Sequence, residues 1–208
     1  MRNTSKRLFI PLSIIMMLLM GTVYTYSVFR IHIEEHFKVG ALQSGLPYMT
    51  SLLCYALAMM LSGRVLKPSK IRLFAIIGTL LIALGWYLSS LATSLIFLIG
   101  SYGVFIGFGV GMVYGVPVYM AQKLYPKQSG FITGMILLGF GMSPLVTAPI
   151  ASVLINQTGL SQTFLIFAMA FLLIQLPITF VFSLEHKDEI KKYQKNDFKI
   201  EKKPLINL

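Results

Sequence analysis

Residues 73–122 read LFAIIGTLLIALGWYLSSLATSLIFLIGSYGVFIGFGVGMVYGVPVYMAQ, fifty positions without one Lys, Arg, Asp or Glu. A soluble domain of ordinary composition is about a quarter charged, and its buried helices carry apolar runs of about 10–14 residues. One bilayer crossing takes about 20 apolar residues. This stretch therefore holds two crossings and a turn, the turn falling near Ala92, Thr93 and Ser94. Three further charge-free stretches lie around it: Leu8–Phe29 and Val39–Gly63 each fit one crossing, and Gln128–Leu184 fits two. The expectation is an all-α transmembrane bundle of six helices, at about 8–29, 42–62, 72–92, 95–121, 130–155 and 163–184. Residues 1–7 precede the bundle, and 185–208 form a lysine-rich tail or linker. A membrane barrel is excluded because the stretches lack an alternating polar face. The first span follows a basic start, as a signal peptide does, but it is too long and lacks a small-x-small site, so it reads as retained.

The net charge is +11 and the pI about 9.8. Position decides what this means. One side of the bundle collects Arg2, Lys6 and Arg7, then Arg64, Lys67, Lys70 and Arg72, then Lys123 and Lys127, then all the lysines of the tail. The other side keeps only Arg30 and Lys38. Basic residues gather on the cytoplasmic face of membrane proteins. Both termini are therefore expected in the cytoplasm, and the basicity reports topology rather than a nucleic-acid partner. The tail reads as a solvated segment or as one that touches anionic lipid heads. The expected location is the plasma membrane, with the lipid bilayer as first partner.

Apart from Arg72 at the first position of the third, no Asp, Glu, Lys, Arg or His falls inside the expected spans, so this chain supplies no intramembrane proton relay. It has no phosphate-cradling Gly-x-x-x-x-Gly-Lys-Ser/Thr loop and no nucleophile–base pair. No enzyme, cofactor or metal is expected. His32 and His36 flank Glu34 and Glu35, but no further ligands lie nearby, so Arg30–Lys38 reads as a hydrated outer loop. The single cysteine, Cys54, cannot close an intrachain disulfide. Trp86 and Tyr87 stand near the outer end of the third span, where aromatic rings favour the interface.

Small and polar residues carry the rest. Gly103, Gly107, Gly111 and Gly115 recur every fourth position of the fourth span, and Gly134, Gly139 and Gly141 continue in the fifth. Such spacing lets helices approach closely where lipid offers no hydrophobic drive. Pro117, Pro144 and Pro149 remove backbone hydrogen bonds within spans, which is tolerated beside a cavity or neighbour. Together these residues are read as packing or gating elements of a transport path. Thr22, Tyr24, Tyr55 and Tyr114 place hydroxyls within the membrane, where they either pack in the interior or line a cavity for a polar solute.

Six spans, a basic loop after the second and a basic tail resemble the N-terminal half of the major facilitator superfamily. Gly21-Thr-Val-Tyr24-Thr-Tyr-Ser-Val-Phe29 looks like the Gly-x-x-Tyr-x-Trp-Ser stretch of its oxalate/formate antiporter branch, with Tyr26 in the Trp place. Gly107-Phe-Gly-Val-Gly-Met-Val-Tyr114-Gly115 is similar to that branch's Gly-x-Gly-x-Gly-x-x-Tyr-Gly run, and Leu124-Tyr-Pro-Lys127 to the segment that follows. The resemblance implies exchange of small organic anions by alternating access, with Tyr24 and Tyr114 lining the cavity. In the superfamily's loop Gly-x-x-x-Asp-Arg-x-Gly-Arg-Lys, Gly63 and Arg72 match, while Lys67 stands for the aspartate and Lys70 for the glycine. The resemblance also implies a second six-helix half bearing the cations that hold the anion. The reading is a half-length transporter of small anionic or polar solutes that pairs with itself or with a complementary C-terminal half. The alternative is a truncated or repurposed membrane module with a binding or regulatory role.

Overall fold

The computed structural model of the protein describes residues 2–67 and 70–185. The lysine-rich tail lies outside the described residues. Among the described residues, six helices are long and apolar enough to cross a membrane: α1 Leu8–Phe37, α2 Ala41–Val65, α3 Ile71–Ser90, α4 Leu95–Leu124, α5 Ser129–Thr158 and α6 Leu160–Val181. Among the described residues there is no strand.

Local chemistry sets the helix ends. Pro47 sits in the opening turn of the long section of α2, where its missing N–H is no loss. Ser94 caps α4 by accepting from the Phe97 amide at 3.3 Å. Between α5 and α6 the turn narrows from the expected 156–162 to one residue, Gly159, whose φ of 82° suits glycine.

The expected outer loop at 30–38 is not a loop. α1 runs on through Phe37 and stops only at Lys38, in the left-handed conformation at φ 54°. Arg30 and Glu34, one turn apart, pair at 3.1 Å on its surface. Arg30 Nη2 also donates to the Ala41 carbonyl at 3.0 Å, and Ser44 Oγ donates to Glu34 at 2.6 Å. A helix need not end where the hydrocarbon does, and these bonds to the start of α2 hold its last turns. The charged residues and both histidines thus ride on α1.

α1 and α4 stand at the centre. α4 packs against α2 and α3, more lightly against α5 and α1; α1 packs chiefly against α5, with α6 beside it; α3 and α6 cover each other. α2 and α5 flank the bundle and leave large apolar side chains uncovered, among them Leu53 and Met60 on α2 and Leu138 and Leu145 on α5.

Trp86 faces the bundle and not its surroundings. It is fully buried, ringed by Phe29, Tyr102, Phe164 and Phe167 with centroids 4.9–5.8 Å away. Four rings on α1, α4 and α6 offer edge and face contacts that a lipid-facing indole would forgo. Tyr87, one position on, is the exposed one.

Candidate functional site

Three of the four polar residues singled out from the sequence meet. Tyr24 on α1 and Tyr114 on α4 share a ring. Each packs edge-on against Phe140 of α5, with centroids 5.1 Å and 5.2 Å apart. Tyr55 of α2 joins them, T-shaped on Tyr114 at 5.5 Å and stacked on Phe140 at 6.1 Å. All three tyrosines are half-buried, whereas Phe140 is buried. The cluster thus draws one ring from each of four helices, three of them half-buried tyrosines.

Thr22 is not part of it. It is buried and its hydroxyl donates to the Leu19 carbonyl at 2.8 Å. Nor is Tyr26, which is buried and donates to the Ser44 carbonyl.

The backbone around the cluster shows why Tyr24 points where it does. Gly21–Thr25 winds as a tighter 3₁₀ turn inside α1, a feature that often marks a special site. Pro144 cannot donate to the carbonyl of Phe140, four residues earlier. Gly21 lies against that same carbonyl, where any Cβ would collide with it and with Ser143. Thr25 and Thr147 then join hydroxyl to hydroxyl. Glycine, proline and threonine pair thus bind the centre of α1 to α5.

The glycines divide into two sets. Cβ atoms on Gly103, Gly107 and Gly111 would fall within 2.5–2.9 Å of α2, on Thr50, on Ser51 and Cys54, and on Tyr55 and Ala58. Gly139 presses likewise on Ile14 of α1. Gly115 differs: its nearest neighbour would be Leu66, at 3.8 Å. Gly63, Gly134 and Gly141 have no described atom within 4 Å of a Cβ position. Helices α2 and α4 are therefore zipped for three turns and splayed at the fourth. The splay is a cleft of ≈ 250 Å³ lined by Met59, Gly63, Leu66, Tyr114, Val118, Tyr119 and Gln122. Pro117 is buried in α4 without breaking it. Arg72 lies over the Phe180 ring of α6 at 5.3 Å.

Sequence reading missed Phe140. Its side chain has no polar atom and it is one of fifteen phenylalanines; only its place between Gly139 and Gly141, with its own carbonyl against Gly21, marks it. No group of three His, Cys, Asp or Glu that could hold a metal occurs among the described residues.

A family model described as Major Facilitator Superfamily matches residues 12–207. Among curated proteins, the chain is 25% identical over 163 residues to an uncharacterized MFS-type transporter, YhjX, of Escherichia coli, covering 78% of this chain and 40% of that protein. It is 30% identical over 128 residues to monocarboxylate transporter 9 of Rattus norvegicus, covering 62% of this chain and 24% of the relative. It is 32% identical over 107 residues to monocarboxylate transporter 12 of the same species, covering 51% and 21%. The chain thus spans less than half the length of these relatives.

Proposed function

The chain belongs to the Major Facilitator Superfamily, and from that premise we propose that it forms one half of a transporter for small organic anions working by alternating access. The Tyr24–Tyr55–Tyr114 cluster around Phe140 carries this reading. Phenols donate hydrogen bonds without bringing a fixed charge into the membrane, and a carboxylate accepts several such bonds. The ring faces enclose a short carbon skeleton. The similarity to two monocarboxylate transporters supports carboxylates as the solute class, and the span-four motif keeps the oxalate/formate branch as the family resemblance. Exchange, rather than uniport, is the mode that this branch implies.

The unpacked faces of α2 and α5, with Gly134 and Gly141, support pairing with a second six-helix half, a second copy or a complementary chain, which would bring the cations. The lysine distribution supports cytoplasmic termini in the plasma membrane.

The test is counterflow in proteoliposomes holding the purified chain, with labelled lactate and oxalate as probes, beside the native mass of the detergent-extracted complex. Accumulation that Tyr114→Phe abolishes, from a complex heavier than the 23.2 kDa chain, is the expected result. A lone 23.2 kDa chain that moves neither probe overturns the reading. It would favour a membrane module without transport, the reading that Lys67 in the family's aspartate place supports.

A further inference from the structure

We propose that the cleft between α2 and α4 is a second, holding site for the carboxylate, at the basic end of the bundle; this rests on the transport reading above. Three observations carry it. First, the cleft is built by absence of side chain. Gly63 and Gly115 line it, and neither position has packing that a glycine is needed to relieve. The close approach that explains Gly103, Gly107 and Gly111 does not explain these two, so their smallness serves the opening.

Second, the cleft is continuous with the tyrosine cluster. Tyr114 belongs to both: its ring packs on Tyr55 and Phe140 and also forms one wall of the cleft. One turn and two turns further along α4 come Val118, Tyr119 and Gln122. A solute leaving the cluster toward the basic end passes these residues.

Third, the lining suits a small carboxylate. Met59, Leu66 and Val118 give an apolar wall, while Tyr114 and Gln122 supply hydroxyl and amide donors beside the Tyr119 ring. Lys123 places its ammonium over the ring of the lining residue Tyr119, 5.6 Å from the centroid, so positive charge stands beside the lining. The volume of ≈ 250 Å³ falls just under the roughly 300 Å³ at which pockets for drug-sized ligands begin, and matches a short-chain acid. The cation remains beside the lining, where it attracts the anion without the cost of burying a charge.

The experiment places a cysteine at Gly115 in a Cys54→Ala background, in full-length chain in liposomes. It times labelling by an anionic and a cationic methanethiosulfonate. Space at Gly115 admits the new side chain; Val118→Cys on the same wall serves if that variant assembles poorly. A unit charge acting through water over roughly 8 Å changes each reagent's local concentration about twofold, in opposite senses. The anionic reagent is therefore expected to react about fourfold faster than its cationic counterpart, relative to free cysteine. Lys123→Gln should abolish that preference, and millimolar lactate or oxalate should slow the labelling. Labelling that ignores both Lys123 and the acids overturns the inference, even if the cluster transports. Protection by the acids in a chain that shows no counterflow would support the holding site and count against the transport reading alone.

Discussion

An alanine at each glycine of the α4 stripe tests the zipped-then-splayed geometry directly. At Gly107 a Cβ would meet the Ser51 carbonyl oxygen at 2.5 Å and Cys54 Cβ at 2.9 Å; at Gly111 it would meet the Tyr55 carbonyl oxygen at 2.5 Å and Ala58 at 2.6 Å; at Gly103 it would meet Thr50 at 2.7 Å. Two of these contacts are to backbone, which cannot rotate away. Overpacking of this kind costs about 1–3 kcal/mol, while Gly→Ala inside a helix returns about 1 kcal/mol. Each of the three variants is then expected to lose about 1 kcal/mol, and Gly115→Ala, with open space, to gain about as much. The separation of about 2 kcal/mol corresponds to roughly 4–8 °C in apparent Tm for a chain of this size. The assay is intrinsic: Trp86 is the chain's single tryptophan, fully buried among aromatic rings, so its emission shifts when the bundle opens. If Gly115→Ala falls as far as Gly107→Ala, the helices do not splay at the fourth turn and the cleft is not there. If all four variants are neutral, α2 and α4 do not meet along this stripe.

Thr25→Val and Thr147→Val each remove one partner of a buried hydroxyl pair and should cost about 1–3 kcal/mol. The double variant should cost less than the sum, which a thermal double-mutant cycle reads. Trp86→Ala should cost about 3–5 kcal/mol, since the four surrounding rings lose their common partner; Trp86→Phe should retain most of that in a circular-dichroism melt. Arg30→Gln removes a partly exposed ion pair worth at most about 1 kcal/mol and the bond to the Ala41 carbonyl, worth about 1 kcal/mol, so its melting temperature should fall by a few degrees and depend little on salt. Phe140→Leu keeps the site apolar but removes the ring on which Tyr24, Tyr55 and Tyr114 pack; counterflow should fall while the Trp86 melt shifts by only a few degrees.

The six crossings were legible because bilayer thickness imposes one length on every span, and charge-free runs record it without help from packing. What depends on packing was not legible in the same way. The depth rule for aromatic residues put Trp86 at an interface, but depth alone does not say whether a ring faces lipid or neighbours, and Phe29, Phe164 and Phe167 come from elements far away in sequence. Four glycines at equal spacing mark one face of α4. They do not say where α2 diverges from it, which is set by how two rigid helices cross, so Gly115 looked like Gly107 and has the opposite role. Charge argued for a loop at 30–38, yet Arg30 and Glu34 are as compatible with a helix surface as with a loop, and the bonds to Ala41 and Ser44 that decide between them cross to another helix. Tyr24 and Tyr114 stood out because each sits in a motif. Phe140 had nothing local to announce it, yet it is the ring on which both tyrosines pack. The residue that joins a site can thus be the least conspicuous one in it. Here the clue was indirect: Pro144 frees a carbonyl on the turn carrying Phe140, and Gly21, three residues before Tyr24, is where another helix can come close enough to cover it.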